Sequence, residues 1–212
     1  SPLVGLILLV GALNASPAQA AASLKLPWSA GRWNVTQGLH TTQAWDFQPP
    51  GAGSHNDEVL AVASGTARLT CTDGAGQAIV SLSTVAGVFR YVHLQTSAVQ
   101  AADITTGGVS VTQGQVLGRL HPSPPSTDPG CGYAIPAGAS HLHLQMPSVP
   151  ITIDGVTLTT AGPSSGSVNS TNTRQGSGTT GDSKSVPYAG NLDRTAGGAP
   201  LYVSTWSVFG GG

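Results

Sequence analysis

The sequence predicts an all-β domain, a sandwich or barrel of short strands. Three observations predict it. β-prone runs follow one another closely, at Val59-Leu60-Ala61-Val62-Ala63, Thr66-Ala67-Arg68-Leu69-Thr70-Cys71, Ala78-Ile79-Val80-Ser81-Leu82 and Val88-Phe89-Arg90-Tyr91-Val92-His93-Leu94. Gly or Asp-Gly turns separate several of them, and no amphipathic helical period of convincing length appears. In such folds loops at one rim carry the function. The 212 residues are 39% hydrophobic, enough to fill one core and not two.

At the start, Leu3 to Leu13 (LVGLILLVGAL) is a continuous apolar run too short to span a bilayer comfortably, and Asn14 to Ala20 follow with small residues at A-x-A positions. Residues 1–20 are therefore expected to be a signal peptide, with the mature chain starting near Ala21. No Met and no basic segment precede the run, so the signal is expected to be incomplete at its start. A short N-terminal membrane anchor is the competing reading, disfavoured by the small-residue end. Export implies a secreted or periplasmic protein of the cell envelope, with no stable membrane span in the mature chain.

The β texture occupies residues 21–162. Within it, Val109 to Gly118 (VSVTQGQVLG) reads as a strand, a Gly turn and a second strand, which is the pattern of a hairpin. Leu120 to Ser140 is a loop by composition and delivers the chain to His141. A long loop beside a site often shapes access to it; the plainer reading is a surface insertion. From 163 to 185 Ser, Gly, Thr and Asn dominate, as expected of a flexible linker. Residues 186–212 form a tail with one candidate strand at Leu201 to Phe209, too short to be a domain.

Only 8% of residues are charged and the net charge is −1, so there is neither a basic patch for phosphates nor an acidic block. Nucleic acid is not an expected partner. Cys71 and Cys131 are the two cysteines, in no CxxC spacing, which disfavours a thiolate zinc site. They either pair in an oxidising compartment, as export favours, or remain two buried thiols.

Chemistry concentrates around His141-Leu142-His143-Leu144-Gln145-Met146. At a strand's period of two, His141, His143 and Gln145 share one face and Leu142, Leu144 and Met146 the other. One face packs and the other is free for chemistry. An isolated HxH is ordinarily a solvated pair, but His93 and the stretch from His40 to Asp46 lie upstream. A hydrolytic zinc site wants three protein ligands and an open position, where the pKa of water falls from about 15.7 to near 7. His40, Asp46 and His143 offer such a set, and His93 and His141 remain as imidazoles for base, acid or oxyanion-donor roles. Each has a bland alternative: His93 after Phe89 and Tyr91 as a core-edge histidine, Asp46 as a turn residue, His40 as a loop histidine. His55 and His121 lie in loops with weaker context.

Gly38-Leu39-His40 running to Asp46-Phe47, then Tyr91-Val92-His93-Leu94, Gln113-Gly114-Gln115-Val116-Leu117-Gly118 and His141-Leu142-His143-Leu144 resemble, in order, the M23 peptidases, the lysostaphin and LytM-type zinc endopeptidases. The resemblance covers about Trp33 to Met146. It implies an all-β barrel-sandwich hybrid with a duplicated hybrid motif, one zinc ion per chain held by His40, Asp46 and His143, His141 as general base, and His93 as a second catalytic histidine that orients water and steadies the tetrahedral intermediate. It also implies a secreted zinc metalloendopeptidase whose substrate is peptidoglycan, cut in cross-links or stem peptides. One departure stands out. The family's H-x-x-x-D becomes His40-x5-Asp46, read as a bulged loop of the kind that LasA-like branches carry, with Asp57 or Glu58 as the fallback carboxylate. Two other classes compete: a non-catalytic envelope protein that binds glycan or activates a cell-wall hydrolase, and a lipoyl-like β-module, which lacks the expected lysine at the Gln113 to Gly118 turn.

Overall fold

The computed structural model describes residues 23–41, 43–51, 55–122, 131 and 140–175. The expected signal peptide, most of the 120–140 loop and the 186–212 tail lie outside the described residues. The described chain is all-β with one short helix: β1 Gly31–His40, β2 Ala44–Gln48, β3 Glu58–Leu60, β4 Gly65–Thr72, β5 Gln77–Thr84, β6 Gly87–Gln95, α1 Thr96–Ala101, β7 Val109–Val111, β8 Val116–Arg119, β9 Leu142–Gln145, β10 Ile151–Ile153, β11 Val156–Leu158 and β12 Gly166–Ser170. Eight strands form an antiparallel sheet in the order β12-β1-β2-β9-β6-β5-β4-β7, while β3–β8 and β10–β11 make two small two-stranded sheets.

Alternation builds the core on one face of the large sheet. Trp45 and Phe47 of β2, Leu142 and Leu144 of β9, Phe89 and Tyr91 of β6 and Val80 and Leu82 of β5 all pack into one cluster. Val59, Leu117 and Leu120 from around β3 and β8, with Val99 of α1, supply the opposite side. Complete burial of side chains such as Trp45, Phe47 and Leu144 contributes roughly 1.5–3 kcal/mol each. The other face of β2, β9 and β6 carries Ala44, Asp46, His143 and Val92, all buried yet outside that cluster.

Three expectations need correction. The large sheet is open: its outer strands, β12 and β7, are not paired with each other, so among the described residues the layered half of the barrel-sandwich expectation holds and closure does not. The 109–118 segment is not a hairpin, because β7 pairs with β4 and β8 with β3. Its turn instead feeds two different sheets. The third correction concerns the expected linker, whose first part, Pro163 to Gln175, is docked on the domain. β12 pairs with β1 from Gly31↔Ser170 to Val35↔Gly166. Asp154 then accepts hydrogen bonds from Thr171 N at 2.7 Å and Leu26 N at 3.1 Å, and Asn172 Nδ2 donates to Leu26 O at 2.9 Å. Residues 176–185 lie outside the described part.

Candidate metal centre

His143 and Asp46 face one another directly. β2 and β9 pair without a register shift from Ala44↔Gln145 to Phe47↔Leu142, which makes Asp46↔His143 a cross-strand pair on one face. Their side chains meet at 3.0 Å, His143 Nδ1 to Asp46 Oδ1. On the far side β6 continues the row, with Val92 opposite His143.

His40 and His93 reach this face through β-bulges. β1 carries two extra residues relative to β2, one between Val35 and Gln37 and one between Gln37 and His40, so that His40 ends opposite Ala44. Each bulge inverts the alternation, and two restore it. The turn to β2 places Thr41 and Gln43 at φ +44° and +62°, which accommodates the His40-x5-Asp46 spacing within a tight hairpin. In β6 the register slips between Tyr91↔Val80 and Leu94↔Ala78, leaving Val92 and His93 against Ile79 alone. His93 takes φ +69° there, a left-handed conformation uncommon for a residue with a Cβ. Strict alternation would send His93 into the core with Phe89 and Tyr91. The bulge instead brings its ring to 4.9 Å from that of His141 and 5.9 Å from that of His143, centroid to centroid.

The donor atoms form a compact triangle. His40 Nε2 lies 3.2 Å from His143 Nδ1 and 3.4 Å from Asp46 Oδ1. With the 3.0 Å contact between His143 and Asp46, the edges span 3.0–3.4 Å. A tetrahedral zinc site with bonds of about 2.0–2.2 Å would set its ligand atoms roughly 3.3–3.6 Å apart. The triangle matches that to within a few tenths of an ångström. Donor chemistry agrees: His40 Nδ1 donates to Gly38 O at 2.7 Å, which orients the ring so that Nε2 is the nitrogen turned to the cluster. The three residues can hold a metal ion. His141 flanks them, its Nε2 3.6 Å from Asp46 Oδ2.

His93 has a defined state. Its Nδ1 lies 2.9 Å from Gln77 Oε1, and Gln77 is oriented by its own Nε2, which points to Asp73 Oδ2 at 3.4 Å. An amide oxygen only accepts, so His93 carries its proton on Nδ1 and a lone pair on Nε2. Burial, followed by the fields of His141, His143 and His121, holds the imidazole well below its ordinary pKa, so the ring is neutral. The Tyr91 hydroxyl of the same strand belongs to the core; burial pushes its pKa up while the Val62 N–H, donating to it at 3.0 Å, opposes the rise.

The remaining candidates separate from this cluster. Glu58 is taken up by Arg119 and Arg174, at 2.9 and 2.5 Å, and Asp57 lies 3.7 Å from His55, so neither fallback carboxylate joins the three donors. His121 is closer than its loop context suggested: its backbone N–H donates to His93 O at 2.8 Å. Cys71 and Cys131 form a disulfide, and Cys131 shares a small cavity with Asp73, Gln77 and His93. Gln77 and Asp73 had no signal in the sequence, since a lone glutamine in a β-prone run announces nothing.

What fold and site define together is an all-β protein whose open sheet carries a two-histidine, one-aspartate cluster able to hold a metal ion, with two further histidines beside it. No family model and no curated protein matches the chain. Among solved structures it is similar to that described as a novel M23 metalloprotease, pseudoalterin, from the deep sea. That similarity has 20% identity over 65% of this chain and 74% of the other, with a TM-score of 0.45. No helix among the described residues is long and apolar enough to cross a membrane.

Proposed function

We propose that the chain is a zinc-dependent endopeptidase acting on peptidoglycan peptides in the cell envelope. The observation that carries the reading is the triangle of His40 Nε2, Asp46 Oδ1 and His143 Nδ1, joined by residues from the ordered motifs that resemble the M23 peptidases. When bound, zinc supplies Lewis acidity, making water nucleophilic near neutral pH and polarising a carbonyl. Asp46 contributes one negative charge, which partly offsets the dication.

His141 is the general base in this reading. It takes the proton of the attacking water as the new C–O bond forms, then returns it to the amine as the C–N bond breaks. Asp46 Oδ2 lies 3.6 Å from His141 Nε2, so the proposed base stands directly beside the donor triangle. His93 is neutral with its Nδ1–H committed to Gln77, and therefore offers an acceptor. Of the two roles the resemblance implies for it, orienting water suits a lone pair, whereas steadying an oxyanion calls for a donor.

Elemental analysis of the purified protein, wild type beside Asp46→Ala, tests the reading. About one zinc per wild-type chain, lost or much weakened in the variant, together with peptidoglycan digestion abolished in His141→Ala, is the expected result. Zinc retained by Asp46→Ala would remove the carboxylate assignment. No zinc in either protein after reloading would favour the non-catalytic envelope protein.

A further inference from the structure

The site face continues one row beyond the metal cluster. Val92, His143 and Asp46 form one cross-strand row, and Arg90, Gln145 and Ala44 form the next, two residues along each of the same three strands. Side chains two residues apart on a strand share a face, and the rows lie about 6.8 Å apart. Ala44 contributes only a methyl group, which leaves the second row shallow. Over it lies an open groove of about 790 Å³ whose lining includes Arg90, Gln145, Gln43, Thr41 and Pro147.

Arg90 is an exposed cation without an ion pair among the described residues. Of the buried or half-buried carboxylates, Asp46 belongs to the donor triangle, Glu58 pairs with Arg119 and Arg174, and Asp154 pairs with Lys25. Among the described residues the groove lining holds no carboxylate. In a chain with only 8 Lys and Arg, this guanidinium is the one that lines the groove beside the candidate centre among the described residues, and it is open to an anion. Its planar fork matches a carboxylate with two parallel hydrogen bonds. Gln145 is the cross-strand neighbour of Arg90, and Gln43 lines the same groove.

We propose that Arg90 is a specificity-determining residue, binding a carboxylate of the peptide substrate about two to three residues from the cleaved bond. Arg90 stands one row along the strands and one strand over from His143, about 6.8 Å and about 4.8 Å, a diagonal of roughly 8.3 Å that two to three residues of extended peptide span, so a substrate with its scissile carbonyl at the metal centre can bring that carboxylate within reach of Arg90. The inference rests on the peptidase reading and deepens it. The carboxylate can be a chain terminus or an acidic side chain.

Three synthetic peptides of one sequence separate these sources: a free C-terminal carboxylate, its amide, and the amide with Glu in place of the last residue. Binding to zinc-loaded full-length His141→Ala protein is measured with and without Arg90→Gln, and kcat/KM with the wild type and Arg90→Gln. The expected result is binding at least 10-fold tighter for one or both carboxylate peptides than for the plain amide, a preference that falls to about 1-fold in Arg90→Gln and returns in part with Arg90→Lys. Which peptide gains identifies the source. Equal binding of all three peptides, or a preference that survives Arg90→Gln, overturns the inference. Carboxylate-dependent binding with no hydrolysis by the wild type would instead sink the peptidase reading and leave the anion subsite standing.

Discussion

Replacing Gln77 with Leu tests whether a side chain outside the donor triangle sets the state of His93. Gln77 accepts the His93 Nδ1–H at 2.9 Å, and the two residues are 4% and 3% exposed, so water has little room to replace the lost acceptor. A buried donor left without a partner costs about 1–3 kcal/mol, roughly a 5- to 150-fold shift in the folding equilibrium. The ring has one escape, which is to move its proton to Nε2 and surrender the lone pair. Gln77→Leu is therefore expected to lose about 1–3 kcal/mol of stability or to switch tautomer, and in either case to lower kcat/KM by about 10- to 100-fold, the scale typical of residues that orient a site histidine. Urea unfolding reads the first effect and imidazole ¹H–¹⁵N correlation spectra read the second. A variant with an unmoved unfolding midpoint and His93 still protonated at Nδ1 would refute the reasoning.

Three other predictions follow from single contacts. Because His93 is held below its unfolded value of about 6.5, the unfolded chain binds more protons at this position in acid; stability is full above pH 6.5 and falls below it, by up to about 1.4 kcal/mol per pH unit. Urea midpoints of wild type and His93→Asn, an exchange that tolerates positive φ, should therefore converge as the pH drops from about 7 to 5. The Cys71–Cys131 disulfide closes a loop with a sequence separation of 60, so Cys71→Ser combined with Cys131→Ser should cost about 4 kcal/mol in the chain-entropy account, read by chemical denaturation. Gly114 has φ +81°, and a Cβ there would collide with the Thr173 carbonyl oxygen. Gly114→Ala should lower stability by about 1–3 kcal/mol and expose Gln175 N, which donates to Gly114 O, to faster hydrogen exchange.

Much of the sheet was legible because its strands obey strict alternation. The faces read for His141 to Met146 are those observed, with Leu142, Leu144 and Met146 in the core, since β9 contains no bulge. Where register slips, a period of two misleads. His93 reads as a core residue until two residues of β6 are set against Ile79, and His40 reaches the site face only through two insertions in β1. The 163–175 stretch defeated the compositional reading for another reason. β12 is an edge strand held by backbone pairing with little apolar burial beyond Val168, and the chain after it is secured by polar side chains. Ser170 Oγ donates to Trp28 O at 2.6 Å and Asn172 donates to Leu26 O, bonds that a run of Ser and Asn does not distinguish from a solvated linker.

The His40-x5-Asp46 spacing shows why sequence distance is a poor measure of ligand geometry on a sheet. In an antiparallel hairpin two residues converge when they share a face and sit on adjacent strands, however many residues the turn holds. His40 closes β1 opposite Ala44, and Asp46 lies one same-face step beyond, about 6.8 Å along β2. An imidazole spans that gap only if it leans back along its own strand. The Gly38 carbonyl, two residues upstream, enforces that lean by accepting Nδ1–H at 2.7 Å, which swings Nε2 to 3.4 Å from Asp46 Oδ1. Met146 N–H, donating to Gln43 O at 2.9 Å, ties the turn to the end of β9, so the strand that delivers His143 also braces the hairpin that delivers His40 and Asp46. The longer turn thus alters the connection between the donors while their separation is set by pairing register and one backbone carbonyl.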